Sequence, residues 1–186
     1  MGRSLRSKLM VVLAVVALQA VAVLVYLRVE RSRDERDAAF VVEHVTPRAA
    51  PDLTWTNLDG TNGRIADARG TTVLLHFWAT WCPPCKEELP GLLALGRELA
   101  RDGAVRVIAV SLDDDWAAVG EFFAGDVPPE VVLGVAKTVA ETYGVSTLPD
   151  TYVVGPEGLL RLRVAGERDW RSMGARAAVR GIIGRP

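Results

Sequence analysis

The sequence predicts an α/β domain behind a single membrane-spanning helix, and three observations point there. An almost uninterrupted run of Leu, Val and Ala occupies residues 9–27. Further on, the apolar and partly β-branched Thr72-Val73-Leu74-Leu75 is followed by Leu89, Leu92, Leu93, Gly96 and Leu99 at helical spacing, then by Val105-Arg106-Val107-Ile108-Ala109-Val110. Buried strand, amphipathic helix and second strand imply a parallel βαβ unit with a right-handed crossover. Third, the only two cysteines, Cys82 and Cys85, fall where the first strand hands over to the helix. With 186 residues there is room for one domain with a sizeable core and a short appendage. A net charge of −1 invites no nucleic-acid partner.

In chain order, residues 1–8 are a basic tail carrying Arg3, Arg6 and Lys8. Residues 9–27 match the roughly 20 needed to cross hydrocarbon, with Gln19 the one strongly polar residue. A cleaved signal peptide is the rival, but its apolar core usually runs about 7 to 15 residues before a small-x-small site. Here Tyr26-Leu27-Arg28-Val29-Glu30 follows, with no lipobox cysteine, which favours an uncleaved anchor. Arg28, Arg31, Arg33 and Arg36 lie just beyond, so the Lys/Arg count does not fix the orientation. Residues 28–50 read as a linker, in which Arg28 to Asp37 extends the anchor helix and Thr46 to Pro51 is irregular. His44 falls here as a solvent-exposed bystander.

The domain proper is expected over 51–186. Leu53 to Asn57 alternates and Asp59-Gly60 turns, which reads as an edge hairpin. After the βαβ unit, Asp113-Asp114-Asp115 opens a helix through Trp116, Val119, Phe122 and Phe123, where acidic residues suit the helix dipole better than a metal ion. Val131-Val132-Leu133 reads as a short strand and Lys137 to Tyr143 as a helix ending at Gly144. Thr151 to Val154 and Leu159 to Ala165 read as strands joined at Gly155-Pro156-Glu157-Gly158, and Trp170 to Ile183 as a closing amphipathic helix. Pro90, inside the first helix pattern, predicts a kink.

The cysteines carry the chemistry. Pro83 and Pro84 fit a first helical turn, whose N–H groups have no intrahelical partner to lose. A helix N-terminus carries about half a positive charge, which favours a thiolate at Cys82. Cys82 is therefore the exposed attacking sulfur, and Cys85, one turn deeper, the resolving one. A purely structural Cys82–Cys85 disulfide would staple almost nothing, since loop-closure stabilisation grows with loop length. Half a zinc site lacks further ligands, His44 and His76 being the only histidines. A copper-carrying CxxC is the rival from another class, since thiolates suit Cu(I). It would want a Met- or His-rich tract, whereas Met occurs only at 1, 10 and 173. No metal and no cofactor are expected.

The segment Leu74 to Cys85 resembles the active-site strand and helix of thioredoxin-like proteins. With Pro51-Asp52-Leu53 through Gly60, Leu74 to Pro90 and Gly144-Val145-Ser146-Thr147-Leu148-Pro149, residues 50 to 183 resemble the membrane-anchored TlpA/ResA/CcmG branch. The resemblance implies a thioredoxin-like fold: a central mixed sheet flanked by helices, with an N-terminal hairpin and a central insertion. It also implies a cis bond before Pro149, whose loop faces the cysteines. Trp81, Pro83, Pro84, Leu148 and Pro149 would then bind substrate, and Leu148 stands where relatives often have Thr. Glu88 falls on the position of an active-site acid of the ResA-like branch. It lies one turn past Cys85, as a proton acceptor or as an ordinary solvated carboxylate. His76 stands where thioredoxins often have a buried Asp; a packed neutral imidazole is the plainer reading, a proton relay the sharper one. The implied activity is thiol-disulfide exchange outside the bacterial cytoplasmic membrane, with protein disulfides such as those of apocytochrome c as clients and a CcdA/DsbD-type membrane electron donor.

Overall fold

The computed structural model describes residues 2–38, 40–100 and 105–183. The chain divides into two compact units, Met1–Ala39 and Phe40–Pro186. The first is one helix, α1 (Gly2–Ala38), whose stretch Lys8–Arg31 is long and apolar enough to cross a membrane.

The second unit is built on one eight-stranded sheet. Its strands are β1 (Glu43–Ala49), β2 (Thr54–Thr56), β3 (Asn62–Arg64), β4 (Thr72–Trp78), β5 (Val105–Ser111), β6 (Val131–Leu133), β7 (Asp150–Val154) and β8 (Leu159–Ala165). Their spatial order is β1-β8-β7-β4-β5-β6-β2-β3. β4, β5 and β6 run parallel, and β7 and β8 turn the sheet antiparallel on the other side of β4. The helices are α2 (Pro83–Ala100), α3 (Trp116–Phe122), α4 (Ala136–Tyr143) and α5 (Met173–Arg180).

β4 is buried at every residue, so its alternation sorts side chains between two apolar layers rather than between core and water. Leu74 and Trp78 point into the layer with α2 and α5, beside Leu89, Leu92, Val153 and Trp170. Val73, Leu75 and Phe77 point into the other, against Trp55, Tyr143 and Tyr152. His76 has the parity of Leu74 and Trp78 and therefore faces α2. Gly96 lets α2 lie close to β5, since a Cβ there would run into Val107 Cγ2.

Most expected elements stand where the pattern put them, including the edge hairpin of β2 and β3. α2 continues through Pro90 as helix. Two expectations are corrected. The second half of the expected linker 28–50 is β1, paired antiparallel with β8. Its residues are nearly all exposed and its register shifts between His44 and Arg48, so no period-2 apolar signal marks it. The closing helix is shorter than Trp170–Ile183: it starts at Met173 because Ser172 caps it, its Oγ accepting from Ala175 N at 3.1 Å, while Trp170 is core ahead of it.

Candidate active site

The site forms where β4 ends and α2 begins. Cys82 closes a tight turn, its N–H donating to Ala79 O at 3.2 Å, and its carbonyl accepts from Lys86 N at 3.3 Å. Cys82 thus sits at the cap of α2, with Pro83 and Pro84 spending the first two orphan N–H positions. The next N–H, from Cys85, donates to Cys82 Sγ at 3.3 Å. The sulfurs are joined, with S–S 2.07 Å and Cα–Cα 5.3 Å. Both cysteines are buried: Cys82 is 5% exposed and Cys85 0%. The expectation of an openly exposed Cys82 is corrected, because the chain around it leaves only a sliver of the residue at the surface. Cys82, and not Cys85, still lines a groove of about 470 Å³ with Trp81, Pro83, Pro84, Leu112 and Leu148. Its remaining walls are small, apolar or hydroxyl-bearing, and none is charged. Trp81 projects from the rim at 65% exposure. The Leu148–Pro149 peptide is cis.

Two polar constellations pin these loops, and both escaped the sequence reading. Asp113, buried, accepts from Thr80 N (3.0 Å), Thr80 Oγ1 (2.6 Å) and Ser111 Oγ (2.6 Å), clamping the turn that leads to Cys82 onto the end of β5. Asp115, not Asp113, caps α3, accepting from Ala117 N at 2.8 Å. One cap needs one carboxylate, so the surplus in Asp113-Asp114-Asp115 was the available signal. Asp150, directly after Pro149, is buried and held by the Arg163 guanidinium at 2.7 to 3.2 Å. Burial raises the Asp150 carboxyl above its ordinary range, and Arg163 pulls it back. Gly166 N donates to Pro149 O at 2.9 Å, fixing the same loop from β8's end. A carboxylate opening an apolar strand beside a proline was the mark of this pair.

Glu88 lies one turn past Cys85 on α2, and the fold brings His76 of β4 to it. Glu88 is buried on α2, its Oε2 accepting from Arg168 N at 2.7 Å. Burial raises its carboxyl to about 7, against the pull of the Arg168 N–H and of the Trp170 indole N–H. The expectation of a solvated carboxylate is thereby set aside. His76 is fully buried; Nδ1 lies 2.9 Å from Thr151 Oγ1 and 3.6 Å from Glu88 Oε1. Burial lowers it to about 3, so the ring is neutral. His76 Nε2 and Glu88 Oε1 are buried without a hydrogen-bond partner. His44 lies on β1, away from this constellation in the sequence of elements. Among the described residues no group of three or more His, Cys, Asp or Glu is placed to hold a metal ion.

Comparison with known proteins agrees with this geometry. Residues 47–163 match the model of the AhpC/TSA family. The chain is 34% identical over 118 residues to the thiol-disulfide oxidoreductase ResA of Bacillus subtilis, covering 63% of this chain and 65% of that protein. ResA of Bacillus thuringiensis is 31% identical over 122 residues, with 65% and 70% covered. The solution structure of a thiol:disulfide interchange protein from Bacteroides superposes with a TM-score of 0.61 at 27% identity, covering 74% of this chain and 92% of that one. The fold is therefore thioredoxin-like, and the chain belongs to the AhpC/TSA family, within which its relatives are thiol-disulfide oxidoreductases of the ResA type.

Proposed function

We propose that this chain is a thiol-disulfide oxidoreductase, anchored by α1 in the bacterial cytoplasmic membrane, that reduces protein disulfides on the outer side. The observation that carries the reading is the Cys82–Cys85 disulfide at the start of α2, at an uncharged groove and one helical turn before a buried carboxylate, Glu88. In the reduced enzyme Cys82 is the nucleophile: its position at the helix start, with the Cys85 N–H aimed at Sγ, favours negative charge on that sulfur. It attacks one sulfur of a client disulfide; the other leaves as a thiolate, giving a Cys82–client mixed disulfide. Cys85 then passes its proton to Glu88 and attacks Cys82 Sγ. The client's second sulfur is expelled as a thiolate, and the Cys82–Cys85 bond forms. Two electrons have moved to the client, and the proton on Glu88 returns to a released thiolate through water.

Trp81, Pro83, Pro84 and Leu148 line the client-binding groove, while Pro149, expected there from the sequence, is buried and off its wall and serves to set the loop that carries Leu148; the uncharged groove suits a client segment without charges next to its cysteine. By resemblance, the clients include the haem-site cysteines of apocytochrome c, and a CcdA/DsbD-type donor returns the two electrons. The test is the reduction potential of the Cys82–Cys85 pair in glutathione or dithiothreitol buffers with thiol trapping. A value near −270 mV or lower is expected of a reductase. One near −120 mV would mark a disulfide-forming oxidant, and no reversible pair at all would remove the exchange reading.

A further inference from the structure

The reading of Glu88 as proton acceptor leaves three buried atoms at this site unexplained: His76 Nε2, Glu88 Oε1 and Trp170 Nε1, whose indole N–H pulls on the Glu88 carboxyl, have no hydrogen-bond partner. A buried polar atom left unpaired is costly, so this cluster calls for a state in which Glu88 Oε1 is paired. The facing atoms are His76 Nδ1 and Glu88 Oε1, 3.6 Å apart. Closing that gap to a charge-assisted hydrogen bond takes a movement of under about 1 Å.

The tautomer follows from the same inventory. With the proton on Nδ1, the ring has a donor aimed between Thr151 Oγ1 and Glu88 Oε1, and Nε2 is left as a bare acceptor. With the proton on Nε2, a buried N–H would have nowhere to donate, and Nδ1 could accept from Thr151 or from protonated Glu88 but could give the ionised carboxylate no hydrogen bond. His76 and Thr151 are paired Cα to Cα across β4 and β7, on the α2 side of the sheet, so neither side chain can turn away.

We propose that neutral His76 is a positioning residue for Glu88: its Nδ1–H rests on Thr151 Oγ1 while Glu88 is protonated, and turns to Oε1 when Glu88 ionises. His76 then holds Oε1 and the Arg168 backbone N–H holds Oε2, with the Trp170 indole N–H as a further donor that stays in place whichever way His76 donates. Thr151 is the competitor that keeps this donor away from the protonated acid. No proton passes through His76; it sets how readily the carboxylate serving Cys85 gives its proton up. The charged neighbours are Glu167, which disfavours ionisation, and Arg168, which favours it, both on the loop after β8. On α2, Cys85 lies one turn before Glu88; β7 contributes the uncharged Thr151.

This inference rests on the acceptor role of Glu88, and the experiment separates the two. Insulin reduction by the full-length chain in detergent is followed against pH. The acid limb that disappears in Glu88→Gln belongs to Glu88. In His76→Leu that limb moves up by about one pH unit, the loss of one hydrogen bond to a charged group. His76→Asn, whose amide N–H takes the place of Nδ1–H, leaves it where it was. Thr151→Val, which removes the competing acceptor, moves it down. A limb that stays put in both His76→Leu and Thr151→Val, while still vanishing in Glu88→Gln, would overturn the role of His76 alone. If no limb depends on Glu88, the acceptor reading fails and the inference with it. Thr151→Val, close to isosteric, carries the test if the buried His76→Leu change prevents folding.

Discussion

The buried His76–Glu88 pair makes a signed prediction about stability. Glu88 is raised from 4.5 to about 7 by burial, so between those pH values the folded chain keeps a proton that the unfolded chain has lost. Its contribution is unfavourable there and grows as pH rises. His76 is lowered from 6.5 to about 3, so between those values the unfolded chain takes a proton that the folded chain refuses. Its contribution grows unfavourable as pH falls. Each group alone gives a slope of about 1.4 kcal/mol per pH unit, and between pH 4.5 and 6.5 the slopes have opposite signs and cancel. Glu88→Gln, a neutral isostere, should leave the histidine slope bare. Relative to wild type, that variant loses about 2–3 kcal/mol between pH 6.5 and 4.5. His76→Asn should do the reverse, losing a similar amount as pH rises over the same window. The assay is urea unfolding of the oxidised unit from Phe40 onward, followed by tryptophan fluorescence. Other carboxylates, Asp150 among them, titrate alike in every variant and drop out of the differences. Glu88→Gln and wild-type curves that run parallel from pH 4.5 to 6.5 would refute the reasoning.

Three further outcomes follow from packing and pairing. Asp113→Asn replaces a buried charged acceptor of three hydrogen bonds and should cost about 2 kcal/mol in urea unfolding, with slower insulin reduction because the turn into Cys82 loosens. Gly96→Ala sets a methyl group against the stiff side chain of Val107; overpacking of this kind should lower stability by about 1–3 kcal/mol, read as a drop in Tm. Arg163→Leu strands the Asp150 carboxylate beside Pro149 and should destabilise by about 3 kcal/mol at neutral pH, less in acid where Asp150 takes up a proton. Equal losses at pH 7 and pH 4 would argue against the charge as the cause.

Much of this architecture is legible in the sequence. β4, α2 and β5 announce themselves because their apolar residues recur at strand and helix periods, and Pro83-Pro84 between the cysteines marks a helix start. The cysteine pair was equally plain. What was illegible is what depends on partners distant in sequence. Asp113 looks like one of three helix-opening acids until Thr80, 33 residues earlier, is seen on it. Glu88 reads equally as a proton acceptor or a solvated carboxylate, because nothing local says that the loop around Arg168 covers it. His76 could be assigned a face from its parity with Leu74 and Trp78, but Thr151 and Glu88 opposite it come from two other elements.

The position of β1 bears on how the soluble part of this chain can be isolated. Without β1, the outer edge of β8 would offer a row of unpaired N–H and C=O groups, the template on which strands from separate molecules stack. β1 covers that row and presents in its place Glu43, Arg48 and Pro47, which has no N–H to donate. A fragment cut at residue 51, where the thioredoxin-like pattern starts in the sequence, would lose this guard strand. It would also lose the bond from Ala50 N to Gly158 O (2.9 Å) that tacks the strand's end down. Such a fragment would retain every catalytic candidate and yet be prone to self-association. A fragment beginning at Phe40 keeps the guard in place.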